Sequence, residues 1–146
     1  MKTEIHKIII IVFGFALLGC SIIKKENISF KLERQKLLSK EFEMKLPTPF
    51  HIQKDNYEEG VIYFYSFVDS VYIIVFQGSM MEIPIDKYHP QKTEVKNQKK
   101  TSVGVENNKF WRKDVFEGVR IYYDNVSKRN KRIYDKVLDE IKVRSL

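Results

Sequence analysis

An unbroken apolar run, Ile8 to Leu18, lies near the start of the chain and ends two residues before Cys20. It follows a mildly basic head that contains Lys2 and Lys7. Its eleven residues are too few to cross a bilayer core, which takes roughly 20 helical residues. They do fit the apolar centre of a secretory signal, which is roughly 7–15 residues long. We therefore predict an export signal at residues 1–19, a tether at 20–27 and a single domain at 28–146.

Beyond residue 40 the hydrophobic pattern is mostly typical of strands. Apolar and charged residues alternate from Glu41 to Leu46, and Pro47 ends this predicted strand. Two aromatic and β-branched runs, residues 60–67 and 71–76, predict a hairpin. Both hairpin strands are apolar on two sides. Both faces should therefore be covered, unless one is exposed for a partner.

A second group of strands is predicted before the C-terminus. Residues 101–106, 109–116 and 119–126 are separated by the turn-forming pairs Asn107–Asn108 and Glu117–Gly118. An amphipathic helix then follows, with Ser127 as its predicted N-cap. Its apolar stripe is formed by Ile133, Tyr134, Val137, Leu138 and Ile141. The stripe requires a large apolar surface, and the sheet is the nearest one.

Two segments are harder to assign. Ile28, Phe30 and Leu32 alternate as in a strand, whereas Leu37 and Leu38 among charged residues suit a helix; we favour a short helix over Phe30 to Ser39. Residues 77–100 show no sustained period and contain two prolines, so they predict a long irregular loop. The expected fold class is α+β, with an antiparallel sheet of about five or six strands and the C-terminal helix packed on one face.

Residues Leu17, Leu18, Gly19 and Cys20 resemble the lipobox of bacterial lipoproteins. The resemblance implies cleavage after Gly19, lipid on the Cys20 thiol and acylation of the new amino terminus. Ser21 is similar to the residues that permit transfer to the outer membrane in that class, which implies an anchor on the periplasmic side. The alternative is an ordinary buried cysteine that follows an uncleaved helix.

Residues 41–143 resemble the Mog1/PsbP-like fold in the order of their elements. An early strand that ends in Leu-Pro precedes a meandering sheet, and a final strand leads into a terminal helix. The resemblance implies an accessory or binding protein, because that fold hosts such proteins more often than enzymes.

The chain has a formal net charge of +7, and its basic residues cluster at Lys96–Lys100 and Ser127–Arg132. For an exported protein, anionic lipid head groups or acidic cell-wall polymers are better candidates than nucleic acid. A solvated surface is the alternative. Cys20 is the only cysteine, which excludes an internal disulfide and cysteine-based metal or redox sites.

Candidate catalytic residues are few. His51 and His89 lie outside any metal-ligand spacing, Ser79 lacks the surroundings of a nucleophile elbow, and Glu58–Glu59 suit a polar turn. We therefore expect no catalytic residue, metal or cofactor, and a lipid-anchored accessory or binding module for another envelope protein or an anionic polymer. The alternatives are an envelope hydrolase that uses His51 or His89, and a structural or inhibitory protein that caps a partner.

The remaining candidates are binding residues. Alternation in the strand at 109–116 places Phe110 and Arg112 on one face and Trp111 on the other. An exposed Trp111 beside Arg112 would suit a partner or a sugar ring, and a Trp111 on the inner face would be core. Tyrosines of the hairpin are predicted to line the sheet face opposite the helix: Tyr63, Tyr65 and Tyr72. Met80–Met81 would contact a partner or plug the sheet edge.

Overall fold

The computed structural model describes residues 27–79 and 82–146. The predicted signal, the predicted lipidation site Cys20, residues 20–26 of the predicted tether, and Met80–Met81 lie outside the described residues. The described strands are β1 (Phe30–Lys36), β2 (Lys40–Pro47), β3 (Phe50–Tyr57), β4 (Gly60–Phe67), β5 (Tyr72–Gly78), β6 (Lys92–Lys96), β7 (Lys99–Glu106), β8 (Lys109–Phe116), β9 (Val119–Val126) and β10 (Lys142–Ser145); the helix is α1 (Lys131–Glu140).

The predicted fold class is wrong. Within the described residues there are two antiparallel sheets rather than one, and the single α-helix is short, so the fold is mainly β. The large sheet has the order β3-β4-β5-β9-β8-β7-β6, and the small sheet has the order β1-β2-β10. The strands that sequence reasoning did not assign are β1, β3, β6 and β10, all of them sheet edges. Edge strands face water along much of their length, so they lack the continuous apolar runs that identify β4 or β5.

The segment at Phe30–Ser39 illustrates the error. Its first residues form β1, which pairs with β2 in a register that sets Phe30 opposite Pro47 and Lys36 opposite Glu41. The turn between them is closed by the Leu37 N–H, which donates to the Lys40 carbonyl at 2.8 Å. Pairing with an adjacent strand thus overrides the local helical preference of this segment.

Other predictions are confirmed. β2, the β4–β5 hairpin and the meander β7–β8–β9 form where the pattern indicates, with turns at Asn107–Asn108 and Glu117–Gly118. The terminal helix also forms, and its residues Tyr134, Val137 and Leu138 are buried. The helix begins at Lys131 with Asn130 in the cap position, so the predicted cap at Ser127 is wrong.

The two faces of the large sheet are covered differently. Its inner face packs against the small sheet and α1, and this core includes Phe42, Leu46 and Leu138, which are at most 1% exposed. Its outer face carries a smaller core, which residues 82–88 cover with Ile83, Ile85 and Tyr88. Part of the outer face beside β3 remains uncovered, and a groove lies there.

Candidate functional site: a groove beside an edge strand

The groove lies on the outer face of the large sheet and has a volume of about 740 Å³. Register explains its floor, because residues directly opposite each other on paired strands share a face. Phe64 of β4 lies opposite Ile74 of β5, and Ser66 lies opposite Tyr72. The two walls are formed by β3, with His51, Gln53 and Asp55, and by the segment Glu82–Ile85.

Asp86 fixes the second wall. A 3₁₀ turn at Pro84–Lys87 presents this carboxylate, which accepts hydrogen bonds from the Lys113 ammonium, the Tyr122 hydroxyl at 3.2 Å and the Ile83 N–H at 3.0 Å. Burial alone would raise the pKa of Asp86, but these bonds hold its pKa below the ordinary value. The wall is therefore tied to β8 and β9 by an ionised carboxylate.

A second carboxylate, Asp124, fixes the far end of the floor. The Tyr72 hydroxyl donates to Asp124 Oδ2 at 2.8 Å, and the Tyr88 hydroxyl donates to the same oxygen at 3.2 Å. Burial, followed by the hydrogen bond to Asp124, raises the pKa of Tyr72 above its ordinary value. Tyr72 thus stays a neutral donor, held in place beside the apolar floor.

β3 provides an open backbone edge beside the groove. It pairs with β4 on one side, from Phe50 opposite Phe67 to Tyr57 opposite Gly60, and it ends the order of the large sheet on the other. Residues 51–57 are all exposed. Because alternate residues of β3 also line the groove, the open edge and the groove form one continuous surface.

The histidines and serines do not assemble a catalytic pair among the described residues. His51 lines the groove opposite Ser66 in register, yet its imidazole makes no hydrogen bond to the side chain of any described residue. His89 is exposed and lies just after the 3₁₀ turn. Ser79 and Glu59 do meet, since the serine hydroxyl donates to the Glu59 carboxylate, but both side chains are exposed. A serine nucleophile would also need a base and an orienting group within reach.

Of the predicted binding tyrosines, only Tyr72 lines the groove. Tyr63 and Tyr65 belong to the inner-face core, at 2% and 0% exposure, so they do not form a surface opposite the helix. The cause is the strand period of two, which turns the odd-numbered residues of β4 inward and Phe64 outward. In β5 the even-numbered Tyr72 shares the outer face with Phe64.

Trp111 is a core residue, as one of the two alternatives predicted. It is 2% exposed and packs against Tyr88, with ring centroids 5.8 Å apart, and over Gly104 of β7. Phe110 and Arg112 lie on the opposite face, as alternation predicts. Trp111 therefore offers no ring to a partner.

Arg112 is buried in an ion-pair network that joins β8 to α1. Its guanidinium donates to both oxygens of Asp114, at 2.9 and 2.8 Å, and to Asp139 of the helix at 2.8 Å. Burial alone would lower the pKa of Arg112, but the hydrogen bonds to Asp114 and Asp139 raise it above the ordinary value. Arg112 is thus a structural cation rather than a binding residue.

The structure brings parts of both basic clusters to one cleft of about 440 Å³. Its lining includes Lys96 and Lys99 from the first cluster and Lys131 from the second. Lys99 pairs with Asp114 at 3.0 Å, and Lys131 pairs with Asp135. These carboxylates neutralise much of the basic charge, which favours the alternative of a solvated surface.

No group of three or more metal-ligating side chains occurs in the described part of the chain. No helix within residues 27–79 and 82–146 is long and apolar enough to span a bilayer.

Sequence reasoning missed the groove because it missed β3. The segment "FHIQKDNY" is too polar to be recognised as a strand by hydrophobic pattern. One available signal was the position of this segment in the chain. It lies between a strand that ends at Pro47 and the hairpin strand that begins at Gly60, with which it can pair. A second signal was Ile83 and Ile85 around Pro84, whose spacing lets both apolar side chains cover a sheet.

No family model, curated protein or solved structure matches the chain.

Proposed function

We propose that this protein is a lipid-anchored component of the bacterial cell envelope, held on the periplasmic side of the outer membrane through Cys20. Its domain acts as a non-enzymatic binding module. The apolar run and the lipobox-like residues Leu17 to Cys20 support the anchor. The resemblance to the Mog1/PsbP-like fold stays a prediction, and it favours the same class of role.

The observation that carries the binding role is the groove beside the open edge of β3. An extended segment of an envelope partner could pair its backbone with β3 as an added strand. Its alternate side chains would then lie over Phe64 and Ile74, while polar groups meet His51 and Gln53 at the rim. The occupant we propose is therefore an extended, partly apolar peptide segment of another envelope protein.

The anchor would make modest affinity sufficient. A protein held at a membrane meets co-anchored partners at a high effective concentration, so a single groove and one strand edge provide enough contact. Strand addition also needs little rearrangement, because pairing with β4 from Phe50 to Tyr57 already holds β3 in an extended conformation.

A photocrosslinking experiment in cells tests the binding role. A crosslinking residue at Gln53 of the full-length protein should capture an envelope protein, whereas one at Val95 on the opposite edge strand should not. Ser66→Phe, which fills the groove, should abolish the capture, and Ser145→Phe on β10 serves as its control. Capture that is unaffected by Ser66→Phe would contradict binding through the groove.

Hydrogen exchange distinguishes strand addition from contact with side chains alone. With the captured partner added, the amides of β3 should exchange more slowly, because an added strand accepts hydrogen bonds from that edge. Amides of β6 provide the control. Unchanged exchange in β3 would refute the proposed mode of binding.

The anchor has its own test. Growth with labelled palmitate should label the wild-type protein and leave Cys20→Ser unlabelled. Label retained by Cys20→Ser would show that the lipid is attached elsewhere.

A further inference from the structure

The outward face of the small sheet carries an apolar patch. The opposite, inward face of β2 bears Phe42, Met44 and Leu46, which are at most 1% exposed. Register places the odd-numbered residues of β1 on that inward side, since Lys31 lies opposite Leu46 and Glu33 opposite Met44. The even-numbered residues therefore face outward.

We call the apolar residues of β1 on this side the β1 patch: Phe30 and Leu32. They are 49% and 51% exposed. Exposed apolar residues scattered singly are ordinary, but these two are alternate residues of one strand and share one face.

The β1 patch is surrounded by basic side chains. Register places five basic residues and two acidic ones on the same outward face: Arg34, Lys36, Lys45, Lys142 and Arg144, with Glu41 and Glu43. Glu43 pairs with Arg34 and, at 3.6 Å, with Lys142, and its side chain is only 15% exposed. The face therefore presents a cationic rim to solvent around an apolar strip.

The patch also lies close to the end of the predicted tether. Seven residues lie between Cys20 and Ile28, and the eight residue-to-residue steps span at most about 29 Å even when fully extended. A lipid on Cys20 would consequently keep this face close to the bilayer. This step rests on the lipid anchor of the proposed function.

We infer that the outward face of the small sheet lies against an anionic phospholipid surface, in the membrane that holds the anchor. Phe30 and Leu32 enter the boundary between head groups and acyl chains, a depth of about 5–10 Å for interfacial apolar side chains. The surrounding lysines and arginines lie at the level of the lipid phosphates, where an anionic leaflet attracts them. The groove, on the opposite side of the large sheet, then faces away from the membrane and remains free for a peptide.

Quenching by lipid tests this orientation. The full-length protein is reconstituted through its own N-terminus into vesicles of phosphatidylethanolamine and phosphatidylglycerol with brominated chains. Phe30→Trp should lose fluorescence in these vesicles, relative to vesicles without bromine. Val95→Trp, at an exposed position on β6, is the matched control and should lose none. The native Trp111 is buried and contributes the same background to both variants. An unquenched Phe30→Trp, or equal quenching of both variants, would overturn the inference.

A second arm tests the role of charge. Reversing two rim charges, with Lys36→Glu and Lys45→Glu together, should reduce the quenching of Phe30→Trp. The matched pair Lys92→Glu and Lys96→Glu on β6 should leave it unchanged. The assignment to an anionic surface would be overturned if Lys36→Glu with Lys45→Glu left the quenching unchanged and the quenching were equally strong in zwitterionic vesicles.

Flotation separates this inference from the anchor itself. A protein that floats with the vesicles and carries lipid, but whose Phe30→Trp variant is unquenched, refutes the orientation and leaves the anchor intact. A protein without lipid on Cys20, whose Phe30→Trp variant is still quenched, refutes the anchor and supports the surface.

Discussion

Removal of the Asp114 carboxylate should destabilise the protein more than removal of any exposed charge. Asp114 is completely buried. Its carboxylate accepts two hydrogen bonds from Arg112 and forms an ion pair with Lys99 at 3.0 Å. In Asp114→Ala the Arg112 guanidinium stays buried, at 6% exposure, and loses its bidentate partner.

The magnitude follows from the bonds lost. A hydrogen bond to a charged group contributes about 1.5–3 kcal/mol, and two are lost from Arg112. Arg112 keeps its bond to Asp139, so the lower value of about 1.5 kcal/mol per bond applies. The expected loss of unfolding free energy for the two bonds is therefore about 3 kcal/mol. This agrees with the roughly 3–5 kcal/mol found when one partner of a buried pair is removed. In a domain of this size the melting temperature should fall by roughly 12 °C.

Urea denaturation followed by far-UV circular dichroism measures the free energy of unfolding. Asp139→Ala is the control, because its carboxylate is 61% exposed and makes one bond to Arg112. An exposed ion pair contributes about 0.2–1 kcal/mol, so this variant should lose less than about 1 kcal/mol. Replacing the pair with Arg112→Met and Asp114→Leu should restore stability relative to Asp114→Ala, since well-packed apolar residues often replace a buried pair without cost. A cost of Asp114→Ala no greater than that of Asp139→Ala would refute this reasoning.

Three further predictions concern packing and pH. Gly104→Ala should cost about 1–3 kcal/mol of unfolding free energy, because an added Cβ would lie 2.7 Å from the Trp111 ring; an unchanged urea midpoint would contradict it. Leu138→Ala, at a position with 0% exposure, should cost about 2–5 kcal/mol, whereas Val68→Ala, at 83% exposure, should stay within about 0.5 kcal/mol. Because the folded state lowers the pKa of Asp86, the stability that Asp86 contributes is present above its unfolded pKa near 3.8 and is lost as the pH falls through the folded value. Unfolding free energies from pH 2 to 6 should therefore fall less steeply for Asp86→Asn than for the wild type, and parallel curves would contradict this.

The sequence predicts the central strands well and the sheet edges poorly. β4, β5 and β9 are mostly buried, so their apolar content identifies them directly. β3 and β6 are almost wholly exposed, and their hydrogen bonds to neighbours, which no local pattern encodes, hold them in the sheet. The error in the fold class follows, because the small sheet consists largely of such strands.

The candidate site shows the same limit. Alternation in β8 correctly separates Trp111 from Phe110 and Arg112, but it does not say which face is covered. That depends on contacts between distant segments, such as those that Asp86 makes with Lys113 and Asp139 makes with Arg112. Residue pattern alone therefore places side chains on faces and leaves their exposure undetermined.

The outer edge of β6 affects whether the sheets of two molecules can pair edge to edge. Lysine occupies both ends of the strand, at Lys92 and Lys96, and the turn into β7 begins with Asn97 and Gln98 at positive φ. Two copies that approach edge to edge along β6 would bring like charges together at close range, and charged edge strands in natural proteins prevent such pairing. The proposed lipid anchor would hold copies in a thin layer, where collisions between open strand edges are frequent. The lysines of β6 therefore disfavour growth of the sheet through this edge, whereas β3 is the edge that we propose binds a peptide.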